Sequence, residues 1–99
     1  MKITEVRVTL RNDGKLKAFA SITLDDCFVV RGLKVIEGNS GMFVAMPSRR
    51  RPDNSFQDIA HPINNETRDA LEAQVLAEYQ RELENEKTGV VSSSKLEVI

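Results

Sequence analysis

Residues 36–63 read IEGNSGMFVAMPSRRRPDNSFQDIAHPI, and this stretch decides the predicted fold. Its Gly-Asn-Ser-Gly run is typical of a tight turn between antiparallel strands, because glycine and asparagine accept positive φ angles. The apolar residues MFVAM are predicted to form the strand after the turn. Pro47 ends that strand, because proline has no N–H to donate to a sheet. Residues 48–55 are then expected to be a loop, and residues 56–60 a short final strand.

Three strands are predicted before this stretch. Residues 2–10 and 16–24 alternate apolar and polar side chains, as half-buried strands do, with an Asn-Asp-Gly turn at residues 12–14 between them. A third strand over residues 27–37 is expected to change face near Gly32, where a glycine often marks a bulge. The N-terminal half therefore predicts consecutive hairpins of an antiparallel sheet.

The pattern changes to that of a helix at Asn64 or Asn65, since asparagine is a good N-cap. Apolar residues then recur at a spacing of four, which indicates one buried face, while the outer face is rich in glutamate. These apolar residues are Leu71, Val75, Tyr79 and Leu83. Residues 1–85 are predicted to be one domain, and residues 86–99 a flexible polar tail. The predicted fold class is α+β, an antiparallel sheet of four to five strands with a C-terminal amphipathic α-helix.

Composition excludes several classes of protein. No apolar run approaches the roughly 20 residues that a membrane span needs, and the alternating N-terminus is unlike a signal peptide, so we expect a cytoplasmic protein. The single cysteine, Cys27, is predicted to be a small buried residue in a strand. The single histidine, His61, favours a structural hydrogen bond over a ligand or acid–base role. We therefore expect no enzyme, no metal, no cofactor and no small-molecule substrate.

Charge is distributed unevenly along the chain. Residues 1–56 carry ten Lys and Arg against six Asp and Glu, a net of +4. Residues 57–99 carry four against nine, a net of −5, and the two sum to the −1 of the whole chain. A nucleic-acid-binding surface is therefore expected on the N-terminal half, as a local basic patch.

The three adjacent arginines Arg49, Arg50 and Arg51 are the main candidate for such a surface. Their guanidinium groups match phosphate geometry and can stack on bases. The alternatives are a solvated loop, or a surface pairing with the acidic helix. Lys34 could extend the patch, and Arg68 on the first helical turn could help to hold an anion there. Nucleic-acid-binding residues are thus predicted at these five positions.

Aromatic side chains are expected to pack in the core rather than to act as stacking platforms. They are Phe19, Phe28, Phe43, Phe56 and Tyr79. An exposed Phe43 or Phe56 beside the arginines would instead indicate base stacking.

The chain resembles the SpoVG (stage V sporulation protein G) family of bacteria. The resemblance lies in the N-terminal MKITEVR and in residues 21–64, above all in the blocks IEGNSGMFVAMPS and DIAHPIN. It implies a small regulator that is not an enzyme and that forms homodimers by joining sheet edges. Relatives often carry a mixed Lys, Arg and Thr stretch where this chain has Arg49–Arg51.

The resemblance also implies function. Such proteins look like site-specific DNA-binding proteins, some of which bind RNA, and they influence gene expression, cell division, septation and sporulation-type development. The expected partners are thus DNA, or RNA, and a second copy of the chain. The alternative is a protein-interaction module that acts on division or regulatory proteins without contacting nucleic acid.

Overall fold

The computed structural model describes residues 2–87 and confirms the α+β fold class. Six strands precede one helix: β1 (Ile3–Asp13), β2 (Leu16–Leu24), β3 (Phe28–Gly38), β4 (Gly41–Ala45), β5 (Ser48–Arg50), β6 (Phe56–Asp58) and α1 (Asn65–Lys87). Strands β1 to β4 form one antiparallel sheet in sequence order, and β5 and β6 form a separate two-stranded ribbon. Most of the predicted tail lies outside the described residues, and the domain boundary at residue 85 stays a prediction.

The pairing of the first three strands is interrupted by register shifts, two of which fall where the sequence pattern changes. The register of β1 against β2 shifts next to Ile3, where the alternation of the sequence breaks. In β3, Gly32 has a φ of 84° and lies in a bulge, because Ala20 pairs with Leu33 whereas Ile22 pairs with Val30. The predicted bulge at Gly32 is therefore confirmed.

The core lies between one face of the sheet, called here the inner face, and helix α1. Alternate residues of the four strands supply its sheet side, as the period of two requires. Those buried on the inner face are Val8, Ala18, Ala20, Ile22, Leu33, Val35 and Val44. The helix contributes Leu71, Val75 and Tyr79, with Leu83 half-buried beside them, so the predicted apolar face is confirmed.

Helix α1 begins as the sequence predicts, because the Asn64 side-chain oxygen accepts the N–H of Thr67 at 2.7 Å. Its outer face is less uniformly acidic than expected. The Glu72 carboxylate accepts the N–H of Val44 on edge strand β4, at 3.1 Å. Glu82 is fully buried, and neither of its carboxylate oxygens has a hydrogen-bond partner in the described part of the chain.

Two predictions about the course of the backbone are wrong. Cys27 is exposed, because it follows a tight turn in which Asp25 and Asp26 both have positive φ and the Cys27 N–H donates to the Leu24 carbonyl at 3.0 Å. Strand β3 therefore starts after the cysteine. The segment expected to be a loop, residues 48–55, begins with strand β5. No helix in the described part of the chain is both long and apolar enough to span a membrane.

Candidate nucleic-acid interface

Strands β5 and β6 with their turn form a basic hairpin, defined here as residues 48–58. Arg49 pairs with Gln57 and Arg50 pairs with Phe56 across the ribbon. The hairpin closes through Arg51, whose N–H donates to the Ser55 carbonyl at 2.7 Å. Every residue of the hairpin is solvent exposed. The arginines are thus held by backbone pairing on a projecting ribbon.

The hairpin presents chemically different faces. Arg50 and Phe56 are cross-strand neighbours on one face, and the Arg50 guanidinium lies 5.7 Å from the centre of the Phe56 ring. Phe56 is 65% exposed, so its ring faces water rather than the core. The expectation that Phe56 packs in the core is therefore wrong, and it is wrong also for Phe28 and Phe43, which are 62% and 42% exposed. Arg49 lies on the opposite face with Gln57, because successive strand residues alternate.

The hairpin turn is stabilised by Asp53. Its carboxylate accepts the Ser55 hydroxyl at 2.6 Å and the Ser55 N–H at 3.0 Å. These hydrogen bonds, the hydroxyl first, hold the pKa of Asp53 below its ordinary value because they favour the ionised form. Asn54 takes a φ of 69°, which asparagine tolerates. The turn therefore has a defined conformation although it is exposed.

The base of the hairpin lies next to the main sheet. The Ile59 N–H donates to the Pro47 carbonyl at 2.7 Å, which continues the ribbon by one bond. A Cβ atom at Gly32 would lie 3.4 Å from the Cβ of Pro47, so the glycine bulge lies against the proline that precedes the hairpin. The base of the ribbon therefore touches the main sheet at this bulge.

No carboxylate within residues 2–87 forms an ion pair with Arg49, Arg50 or Arg51. The alternative in which they pair with the acidic helix is therefore not observed in this part of the chain. Their positive charge is left available to a ligand.

The other two predicted cations lie on different surfaces. Lys34 is exposed on the face of the sheet opposite the helix, called here the outer face, between Phe19 of β2 and Ala45 of β4. Arg68 belongs to the first turns of α1, on the inner side of the sheet, and is half-buried. Since the sheet separates them, the structure does not combine Lys34 and Arg68 into one site.

His61 is solvent exposed in the loop between β6 and α1. Its Nδ1 lies 2.9 Å from the carbonyl oxygen of Pro62, a contact within the loop that leads to α1. Among residues 2–87, no three His, Cys, Asp or Glu side chains are grouped as a metal site would require.

An apolar groove of about 470 Å³ lies between the start of α1, the inner face of the sheet and residues 60–62. Its apolar lining includes Ile22, Leu33 and Leu71. The neighbouring Ile59 and Ile63 are strongly exposed, and Ile63 is 90% exposed. Sequence reasoning missed this groove, because it forms only when the helix crosses the sheet.

The fold and the hairpin together define a small α+β protein that presents a basic and aromatic ribbon beside a four-stranded sheet. The family model described as SpoVG matches residues 1–81. The chain belongs to the SpoVG family.

Similar proteins carry matching names. "Putative septation protein SpoVG" of Anaeromyxobacter sp. (strain Fw109-5) is 65% identical over 83 residues, which cover 84% of this chain and 86% of the relative. The protein of the same name from Bdellovibrio bacteriovorus is 55% identical over 92 residues, which cover 93% of this chain and 85% of the relative. "Putative septation protein SpoVG 2" of Listeria monocytogenes serotype 4b is 54% identical, covering 91% and 89%.

Proposed function

We propose that this protein is a cytoplasmic, nucleic-acid-binding regulator that binds DNA site-specifically, and RNA in addition, and that acts in septation and development without catalysing a reaction. It works as a homodimer, so that two basic hairpins engage one nucleic acid. The septation names of its relatives support the cellular role.

The observation that carries the proposal is the pairing of Arg50 with Phe56 on an exposed ribbon whose arginines have no described ion-pair partner. Guanidinium groups bind phosphates and guanine edges, and an exposed ring can stack on a base. The major groove of DNA is wide enough to admit a two-stranded ribbon, so side chains of the hairpin can reach base edges there. Binding of this kind depends on phosphate charge and therefore on salt.

Fluorescence anisotropy with labelled duplex DNA and single-stranded RNA tests the proposal. Arg50→Ala is expected to weaken binding at least about fivefold, because charged hydrogen bonds contribute about 1 kcal/mol or more. Arg81→Ala is the matched control, since Arg81 is an exposed helix arginine whose ion pair within residues 2–87 is with Glu78 at 3.5 Å. Equal affinities for native protein and Arg50→Ala, with both variants folded, would contradict the proposal.

A second candidate function, docking of a partner protein, is favoured by the apolar groove and its exposed neighbour Ile63. Exposed apolar patches of this kind often mark interaction sites. In that case a division or regulatory protein should bind the native chain even after nuclease treatment. Ile63→Asp should abolish this binding and leave the affinity for DNA unchanged. If Ile63→Asp retains that protein as well as the native chain does, the groove is not its docking site.

A further inference from the structure

The outer face of the sheet carries two phenylalanine rings that no described layer covers. Helix α1 packs on the inner face, and no other helix or strand of residues 2–87 forms a layer over the outer one. Phe19 on β2 is half-buried there, and Phe43 on β4 is 42% exposed. With strands about 4.8 Å apart, the two strands that bear these rings are separated by about 10 Å.

The Phe43 ring packs against the end of β3. A Cβ atom at Gly38 would lie 3.0 Å from Cε1 and 3.1 Å from Cδ1 of Phe43, so the ring lies against the glycine backbone. Ile36, the cross-strand partner of Phe43, lies beside it on the same face. A ring held in this way loses little conformational freedom when a ligand stacks on it.

Positively charged side chains lie near both rings. The Arg11 guanidinium lies 5.3 Å from the centre of the Phe19 ring, in a cation–π contact. Lys34, directly across from Phe19, is exposed and has no ion-pair partner among the described residues. By contrast, Lys17 of β2 is paired with Glu37 at 3.7 Å. Arg11 and Lys34 therefore leave positive charge near the two rings.

We infer that this outer face is a binding surface for a single-stranded stretch of nucleic acid, with bases on Phe19 and Phe43 and phosphates on Arg11 and Lys34. Aromatic rings on a sheet, flanked by cations, bind unpaired bases in this manner, whereas a duplex keeps its bases stacked internally. The surface continues toward the basic hairpin, because β4 ends at Ala45 and only two residues, Met46 and Pro47, separate it from β5. The inference thus rests on the proposed function and extends it to a second surface.

The test compares anisotropy of labelled oligothymidine, oligouridine and a mixed-sequence duplex, each about 20 nucleotides long. Phe43→Leu keeps an apolar side chain but removes the ring. It is expected to weaken single-strand binding about five- to tenfold, since stacking contributes about 1 kcal/mol or more, and to leave duplex affinity unchanged. Lys34→Ala should also weaken single-strand binding. The two single strands show whether the surface prefers DNA or RNA.

Phe28→Leu is the matched control, because Phe28 is 62% exposed but follows the turn that contains Asp25 and Asp26. Native single-strand affinity in Phe43→Leu, together with the expected weakening in the Arg50→Ala hairpin variant, would overturn the inference and leave the proposed function intact. No binding of any probe by the native protein would overturn both. A change of oligomeric state in Phe43→Leu, measured by light scattering, would instead assign the face to contact between copies.

Discussion

Replacing the buried Glu82 with methionine should stabilise the protein. Glu82 is 0% exposed, and both of its carboxylate oxygens lack a hydrogen-bond partner among the described residues. Burial of an unpartnered polar group is unfavourable, because the hydration it had in the unfolded chain is not replaced. Methionine has a similar length and a similar helix propensity, so the substitution changes little besides polarity.

The expected increase in the free energy of unfolding is about 1–3 kcal/mol, the cost of leaving a buried polar group unsatisfied. For a domain of this size, each kcal/mol raises the Tm by about 4–8 °C, so the increase should be at least about 4 °C. Glu82→Gln keeps a polar side chain of the same size and therefore keeps an unsatisfied polar group at this position. Its stabilisation should therefore be smaller than that of Glu82→Met.

Circular dichroism during thermal and urea unfolding measures both changes. Gln80→Met is the control, because Gln80 is a solvent-exposed residue of the same helix. This substitution should change the free energy of unfolding by no more than about 0.5 kcal/mol. A free energy of unfolding that is lower in Glu82→Met than in the native protein would refute the reasoning. It would show that the carboxylate makes a stabilising contact in solution.

Three further predictions concern the turn, the cap and the bulge. The pKa of Asp53 is lowered by its bonds to Ser55, so these bonds should persist above its ordinary 3.8 and be lost as the pH falls through the lower folded value. The NMR shift of the Ser55 amide should move only in that acidic range, and an unshifted titration at 3.8 would contradict this. Asn64→Ala should lower the free energy of unfolding in urea by about 1 kcal/mol, and the Thr67 amide should lose its protection from hydrogen exchange. If neither value changes, the cap contributes nothing to stability. Gly32→Ala should lower the Tm, because φ is 84° there, and an unchanged Tm would exclude strain at the bulge.

Local patterns were sufficient to predict the main sheet and the helix. Alternation over β1 and β2, the Gly-Asn-Ser-Gly turn and the four-residue spacing in α1 each depend on neighbouring residues alone. Gly32 was recognisable because few other residues can accept its backbone conformation. These elements matched the structure within a few residues.

The candidate site was less predictable, since it depends on contacts between distant residues. Strand β5 could not be predicted from the sequence, because the three consecutive arginines show no alternation of apolar and polar residues. Only the pairing of Arg50 with Phe56 reveals that the ring is exposed beside a cation. Cys27 was misplaced for a related reason. Its position is set by two aspartates with positive φ, and sequence alone rarely indicates that conformation.

The salt dependence of DNA binding tests the central claim most directly. Native protein and the triple variant Arg49→Ala, Arg50→Ala, Arg51→Ala would be titrated with labelled duplex across a salt series. If one hairpin neutralises three phosphates, the slope of log K against log salt should be less steep by roughly 2.7 in the variant, and by about twice that if a dimer uses both hairpins. An identical slope in a folded triple variant would contradict the claim that the basic hairpin is the nucleic-acid interface.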